Sequence, residues 1–121
     1  MSLEIKYLVG DALEYNVDIN LNHRYIIHVC NDIGAFGGGM AGAIAKKWPF
    51  VRREYTNWRK DPVAKDNFKL GSIQIVKINK DTSVINMIAQ HLIGQDENGG
   101  PCIRYDALEE CCNKVVAAMS A

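Results

Sequence analysis

The chain has 121 residues, enough for one compact domain that buries a core without metal or disulfide support. Hydrophobic residues make up 48% and charged residues 23%, which excludes a disordered tail, a coiled coil and a collagen-like repeat. The 14 basic and 14 acidic side chains cancel, so we do not expect nucleic acid to be the main partner.

The first half of the chain predicts two strands, a glycine-dense loop and a helix. Residues 3–9 and 24–30 are rich in branched and aromatic side chains, as β-strands are. The loop, residues 31–39, leads into an alanine-rich helix over 40–48, which Pro49 interrupts.

A second helix follows, because Val51, Tyr55 and Trp58 recur at spacings of four and three. Its surroundings are basic, with six cations between residues 41 and 60: Lys46, Lys47, Arg52, Arg53, Arg59 and Lys60. Aromatic and basic side chains interleaved in this way can stack on single-stranded nucleic acid. The other reading is that the aromatics face the core and the cations are solvated. Nucleic-acid binding through residues 46–60 is therefore an alternative function.

The second half predicts two more strands and a last helix. Residues 71–78 alternate in hydrophobicity, whereas residues 83–89 are apolar throughout, as in a strand covered on both faces. Residues 91–101 are predicted to be a loop and 103–119 a helix. The inward stripe of that helix is Leu108, Cys111, Cys112, Val115 and Met119. Strands that alternate with helices indicate a single three-layer α/β domain over residues 1–121.

The cysteines and the apolar runs indicate the compartment. Cys30, Cys102, Cys111 and Cys112 form no CxxC pair, which favours reduced structural thiols and gives no reason to expect a metal or a cofactor. No apolar run is long enough to cross a membrane, and the N-terminus lacks an apolar signal core. We therefore expect a cytoplasmic protein with no membrane partner.

The glycine loop is the first candidate for ligand binding. A helix N-terminus offers unpaired amides and a partial positive charge, and Gly37, Gly38 and Gly39 let the backbone approach an anion closely. The spacing matches neither GxGxxG nor GxxxxGK[ST], so this is not an ordinary nucleotide-binding fingerprint. The loop is either a phosphate cradle or a simple turn.

Polar residues also follow three predicted strands, where open α/β folds bind ligands. Asp11, which follows the first strand through Gly10, could accept a hydrogen bond from an exocyclic amino group such as that of adenine. It could equally make an Asx-turn or cap a helix. Asn31 with Asp32, and Gln90 with His91, end two further strands. These strand ends should converge on one crevice.

The order and spacing of these segments resemble the macro domain family. The resemblance rests on residues 9–12 (VGDA), on Asn31 followed after six positions by residues 37–39 (GGG), and on 86–91 (NMIAQH) and 103–108 (IRYDAL). It covers essentially the whole chain. Residues 86–91 and 103–108 are similar to those of macro domains that process ADP-ribose 1''-phosphate, and they also resemble the branch that contains the chromatin-remodeller macro domain and the terminal ADP-ribose protein glycohydrolase.

The resemblance implies an α/β/α sandwich with a mixed central sheet and a crevice for ADP-ribose or an ADP-ribosylated ligand. Asp11 would then hold the adenine amino group, Asn31 would contact the distal ribose, and the glycine loop would border that ribose and the diphosphate. The residues expected to contact the ligand are Gly10, Asp11, Ala12, Asn31, Asp32, Gly37, Gly38, Gly39, Met40, Ala41 and Gln90. The site would serve either an ADP-ribose 1''-phosphate phosphatase or a non-catalytic binding module. No catalytic base is assigned, with Asp32 and His91 as candidates.

The sequence departs from that family in two respects. Gln90 stands where the glycohydrolase of this branch has a nucleophilic lysine, so we do not expect removal of ADP-ribose from protein by a lysine nucleophile. The family's later strand, second phosphate loop and closing helix have no counterpart after Met119. The resemblance therefore implies a C-terminally incomplete domain, whose exposed sheet edge could pair with a second copy.

Overall fold

The computed structural model describes Leu13, residues 23–95 and residues 101–120 of the chain. The strand predicted over residues 3–9 and the candidate residues Gly10, Asp11 and Ala12 lie outside the described residues.

The described elements alternate between strand and helix. In chain order they are β1 (Arg24–Asn31), α1 (Gly39–Lys47), α2 (Pro49–Lys60), a short 3-10 helix (Ala64–Asn67), β2 (Ile73–Asn79), β3 (Thr82–Gln95), β4 (Pro101–Ile103) and α3 (Tyr105–Ser120). None of the described helices is long and apolar enough to cross a membrane.

The sheet is mixed, with β3 between β1 and β2. β1 runs parallel to β3, whereas β2 and β4 are antiparallel to it. Because two parallel strands end at the same edge of a sheet, the chain beyond β1 and the late part of β3 meet there.

The helices cover the sheet on both sides, which makes three layers. On one side, α1 and α2 bury Ile44, Val51 and Tyr55 against the strands. On the other, α3 buries Cys111 and Val115 against Ile85, Met87 and Ala89 of β3. β3 therefore has core on both faces, as its uninterrupted apolar run predicts.

α2 confirms the predicted amphipathic helix. Pro49 occupies its first turn, where a missing N–H costs nothing, and Val51 and Tyr55 are fully buried. Trp58 and Phe68 meet the Tyr55 ring edge-on. These aromatic side chains pack into the core and do not form an exposed stacking surface.

The late part of the chain differs from the sequence prediction. Residues 91–95 continue β3 instead of forming a loop, and Ile103 belongs to β4, so the last helix begins at Tyr105. Cys112 and Met119 are exposed, because the helix surface in contact with the sheet is the narrower stripe of Ala107, Cys111 and Val115. The periodicity predicted the helix but overestimated the width of its buried face.

Candidate functional site

The ends of β1 and β3 place two of the predicted polar residues side by side. The ladder pairs Cys30 with Ile88 and then shifts, so that Asn31 lies opposite Gln90 and one residue of β3 is skipped. Such a bulge bends a strand and redirects its side chains. Asn31 and Gln90 are therefore brought together at the same edge of the sheet, as expected.

A cavity of about 550 Å³ opens at this edge, between the strand ends and the start of α1. Its lining consists of Val29, Cys30, Asn31, Ala35, Gly37, Gly38, Met40, Ala41, Gln90 and Ile93. Most of the candidate residues in the described part of the chain belong to this lining. Asp32 and Gly39 lie next to it in sequence. The volume falls within the range of small-molecule sites.

Asn31 organises the loop that follows β1. Its Oδ1 accepts hydrogen bonds from the backbone N–H groups of Ile33 and Ala35, at 3.2 and 3.0 Å, and its Nδ2 donates to the Ala35 carbonyl at 2.8 Å. The Tyr55 hydroxyl donates to the Asn31 carbonyl from α2. The Asn31 amide thus uses three of its four bonding positions on the protein. Its first task is to hold the loop, which leaves one N–H for a ligand.

Asp32 ties this loop to β3. Its carboxylate accepts hydrogen bonds from the His91 ring at 2.7 Å and from the Leu92 backbone N–H at 2.9 Å. Burial by itself would raise the pKa of Asp32, but these two bonds outweigh it and hold the pKa below its ordinary value. Asp32 is therefore charged, holds the loop against β3, and is a poor proton acceptor.

The backbone at Leu92 is held in the left-handed region, with φ of 63°. A residue with a branched side chain adopts this conformation only when its surroundings impose it. Asp32 holds its N–H, and Gln90 Nε2 donates to its carbonyl at 3.0 Å. The turn carries β3 past the cavity and brings Ile93 to the rim, a residue that the sequence had placed in a loop.

The glycine loop leads into α1, and the first amides of that helix have no hydrogen-bond partner within it. Gly38 has extended backbone, Gly39 has φ of +55°, and a Cβ at either position would meet no protein atom within 4 Å. The first amide bonded within the helix is that of Gly42, to the Gly38 carbonyl. The N–H groups of Gly39, Met40 and Ala41 therefore precede the hydrogen-bonded part of the helix, and no acidic side chain stands in the first turn.

Two glycines that the sequence reasoning missed shape the same loop. A Cβ at Gly42 would lie 2.7 Å from the Gly37 carbonyl oxygen, so only glycine lets α1 pack this closely against the loop. At Gly34, which has φ of +81°, a Cβ would lie 2.6 Å from the Arg59 side chain. The only signal in the sequence is a small residue in each position.

The described residues that line the cavity include no activated nucleophile. Burial raises the pKa of the Cys30 thiol, so its sulfur stays protonated at neutral pH. All four cysteines are free thiols. No cluster of three or more His, Cys, Asp or Glu side chains in Leu13, 23–95 and 101–120 could hold a metal ion.

Solved structures show the same arrangement of elements. A Bacteroides thetaiotaomicron protein of unknown function is 40% identical, with a TM-score of 0.80 over 93% of this chain and 68% of its own. A macrodomain protein from Streptomyces coelicolor is 33% identical, with a TM-score of 0.81 over 97% of this chain and 72% of its own. The chain belongs to the macrodomain family.

Two more proteins are similar to parts of this macrodomain. It shares the fold of Thermosipho africanus DarTG solved in complex with ADP-ribose, at 13% identity and a TM-score of 0.62 over 79% of this chain and 26% of that one. An ADP-ribose 1''-phosphate phosphatase of Lodderomyces elongisporus is 30% identical over 56 residues, 46% of this chain. The chain spans about a third (34%) of that curated relative's length. No protein-family model matches the chain.

Proposed function

We propose that this macrodomain recognises ADP-ribose, or a molecule that carries it, in the cavity at the ends of β1 and β3. The observation that carries the proposal is the joint lining of one cavity by the ends of two parallel strands and by a glycine loop entering a helix. Such a crevice is where open α/β sheets bind nucleotides. The neighbour solved with ADP-ribose supports this choice of ligand.

The diphosphate would lie against the glycine loop and the first turn of α1. The amides of Gly39, Met40 and Ala41 precede the hydrogen-bonded helix, and the helix dipole adds partial positive charge there. Gly37 and Gly38 have no Cβ to keep phosphate oxygens away. The contact would therefore be made by backbone groups, with no positively charged side chain among the lining residues that the structure describes.

The two ends of the ligand would meet different groups. At the floor, the remaining N–H of the Asn31 amide and the Gln90 side chain would contact the distal ribose. We place the adenine near residues 10–12, with Asp11 accepting a hydrogen bond from its amino group. The apolar side chains of Met40 and Ile93 at the rim would cover the sugars.

Gly38→Val tests the loop without disturbing the fold. Gly38 lines the cavity and has φ of −118° and ψ of 161°, a conformation that valine adopts readily, and its Cβ would meet no protein atom within 4 Å. We expect the melting temperature to stay close to that of the parent. We expect the affinity for ADP-ribose, measured by calorimetry, to fall by about tenfold or more.

Gly42→Ala is the matched contrast in the same loop. Its methyl group would press on the Gly37 carbonyl at 2.7 Å, so this variant should lose stability, by about 1–3 kcal/mol, as well as affinity. If Gly38→Val binds ADP-ribose as tightly as the parent, the loop is a turn and not a phosphate cradle.

Asp11→Ala tests the adenine contact. Removing a carboxylate that accepts a hydrogen bond from the amino group should weaken ADP-ribose binding by about 1–3 kcal/mol. Asp81→Ala is the control, because Asp81 is exposed and directly precedes β3, at the end opposite the cavity. Equal affinities for parent and Asp11→Ala would remove Asp11 from the site.

Hydrolysis of ADP-ribose 1''-phosphate is the second candidate, and the His91–Asp32 pair favours it. Asp32 binds Nδ1 of His91, whose side chain is 45% exposed and follows Gln90 of the lining. Nε2 would then take the proton from a water that attacks phosphorus, and the bond between phosphorus and the ribose C1'' oxygen would break. The His91 ring would return the proton to that leaving oxygen, which gives ADP-ribose and phosphate, while the loop amides stabilise the charge that develops. The phosphatase among the relatives supports this candidate.

His91→Gln separates binding from turnover. If the chain is a phosphatase with this base, the variant should keep its ADP-ribose affinity and lose about 100-fold or more in the rate of phosphate release. His23→Gln, directly before β1, is the control and should keep the parent rate. Equal rates for His91→Gln and parent would dismiss His91 as the base.

We expect no removal of ADP-ribose from protein by a lysine nucleophile. Gln90 occupies the position of that lysine, and its amide nitrogen donates to the Leu92 carbonyl. The nitrogen lone pair of an amide is delocalised into its carbonyl group and is not free for such an attack. The phosphatase and the binding module therefore remain the two candidates for this site.

A further inference from the structure

A row of three polar side chains crosses the sheet below the cavity, within the core under α1 and α2. Asn86 of β3 lies directly opposite His28 of β1 on one side and Gln74 of β2 on the other. His28 Nε2 is 2.5 Å from Asn86 Oδ1, and Asn86 Nδ2 donates to Gln74 Oε1 at 2.9 Å. Gln74 Nε2 ends the row by donating to the Glu54 carbonyl of α2 at 3.0 Å.

The carbonyl at the end of the row fixes the direction of every bond in it. Because the Glu54 oxygen only accepts, the Gln74 amide must turn its nitrogen toward it and its oxygen toward Asn86. Asn86 must then offer its nitrogen to Gln74 and its oxygen to His28. His28 is left as a donor through Nε2–H. The row is complete only with this one set of partners.

The inner part of the row, His28 and Asn86, is deeply buried, so water cannot replace the partners there, whereas the bond from Gln74 to Glu54 lies at the surface. Asn86 has no exposed surface and His28 is 7% exposed. A buried polar group that loses its partner costs much more than the bond itself contributes. The neighbouring rows, such as Ile26 beside Val84, are apolar and would tolerate a shift of the strands. The polar row is what makes the pairing of β1, β3 and β2 unique at this level.

The second nitrogen of His28 restricts the ring to its neutral form. The Cys30 sulfur lies 3.8 Å from Nδ1 and 3.6 Å from Nε2, and a thiol is a poor acceptor for the Nδ1–H that a charged ring would carry. Phe36 meets the ring edge-on, and the Tyr55 hydroxyl of α2, beyond Phe36, donates to the Asn31 carbonyl. Among the described residues, no carboxylate bonds to the ring. Burial accordingly lowers the pKa of His28, and the bond to Asn86 offsets only part of that effect.

We propose that His28, Asn86 and Gln74 are positioning residues for the cavity, which hold the three strands in register below it only while His28 is neutral. Two residues after His28, Cys30 reaches the lining, and the bulge that sets Asn31 opposite Gln90 follows directly. The register of the row therefore decides which groups form the cavity floor. Only the ligand measurement that tests this inference rests on the proposed function.

The pH dependence of unfolding tests the role of His28. An unfolded histidine takes up a proton near pH 6.5, whereas the folded row resists it, so the unfolding constant should rise by up to tenfold per pH unit below about 6.5. Urea titrations of the parent at about pH 7.5 and about pH 5.5 should show this rise. His28→Gln keeps a donor toward Asn86 but does not titrate. The rise in its unfolding constant between the two pH values should therefore be about tenfold smaller than the rise in the parent.

His23→Gln is the matched control for that experiment. His23 also bonds a side chain of β3, Ser83, at 2.9 Å, but at the end of the strands away from the cavity. The variant removes a histidine that lies outside the polar row, so a pH dependence that is reduced in His28→Gln and not in His23→Gln assigns the effect to the row. Parallel pH profiles for parent and His28→Gln would overturn the inference. If His28→Gln does not fold, ring NMR on the parent decides, because a His28 ring that is half-charged near pH 6.5 contradicts the row.

The ligand measurement tests the positioning itself. Gln74→Met removes the partner of Asn86 at a half-buried position and should weaken ADP-ribose binding by about threefold to tenfold. Ser83→Ala breaks the bond at the other end of the strands and should leave the affinity unchanged. Unchanged affinity in Gln74→Met would overturn the positioning role. A parent that binds no ADP-ribose would refute the proposed function, and the unfolding data would still decide on His28.

Discussion

The parallel pairing of β1 with β3 is the constraint on which the rest of the structure depends. It brings the end of β1 beside the late part of β3, so that Asn31 and Gln90 face each other across a bulge. Because β1 ends at this edge, the loop after it and the start of α1 must lie there too. The cavity is therefore a consequence of the parallel direction of the two strands. The glycine loop lines it because this loop connects the end of β1 to α1.

Most polar side chains around this cavity hold the protein and not a ligand. Asn31 binds the loop that follows it, and Asp32 binds His91 and the strained backbone at Leu92. Below them, the buried row from His28 through Asn86 keeps the strands in register. At the start of α1, the lining residues Met40 and Ala41 have backbone N–H groups that precede the hydrogen-bonded part of the helix. A site built in this way suits a diphosphate, which binds amides without needing a positive side chain.

Local patterns in the sequence were enough to predict α2, the doubly covered β3 and the meeting of Asn31 with Gln90. Hydrophobic periodicity depends on which faces are buried, and strand ends converge whenever strands are parallel.

The sequence could not show that β3 continues to residue 95. The residues after Gln90 have the composition of a loop, but the strand continues through a positive φ at Leu92, whose N–H donates to Asp32. Nor could it show that Gly42 supports the Gly37 carbonyl, since that contact forms only when α1 folds back onto the loop.

Calorimetric titration of the 121-residue chain with ADP-ribose, AMP and ribose 5-phosphate tests the central claim most directly. One cavity that joins the glycine loop to two strand ends should bind the whole ligand better than either half. We predict saturable binding of one ADP-ribose per chain, about tenfold or more tighter than binding of AMP or ribose 5-phosphate. No heat of binding with ADP-ribose, or equal affinity for all three compounds, would contradict the account.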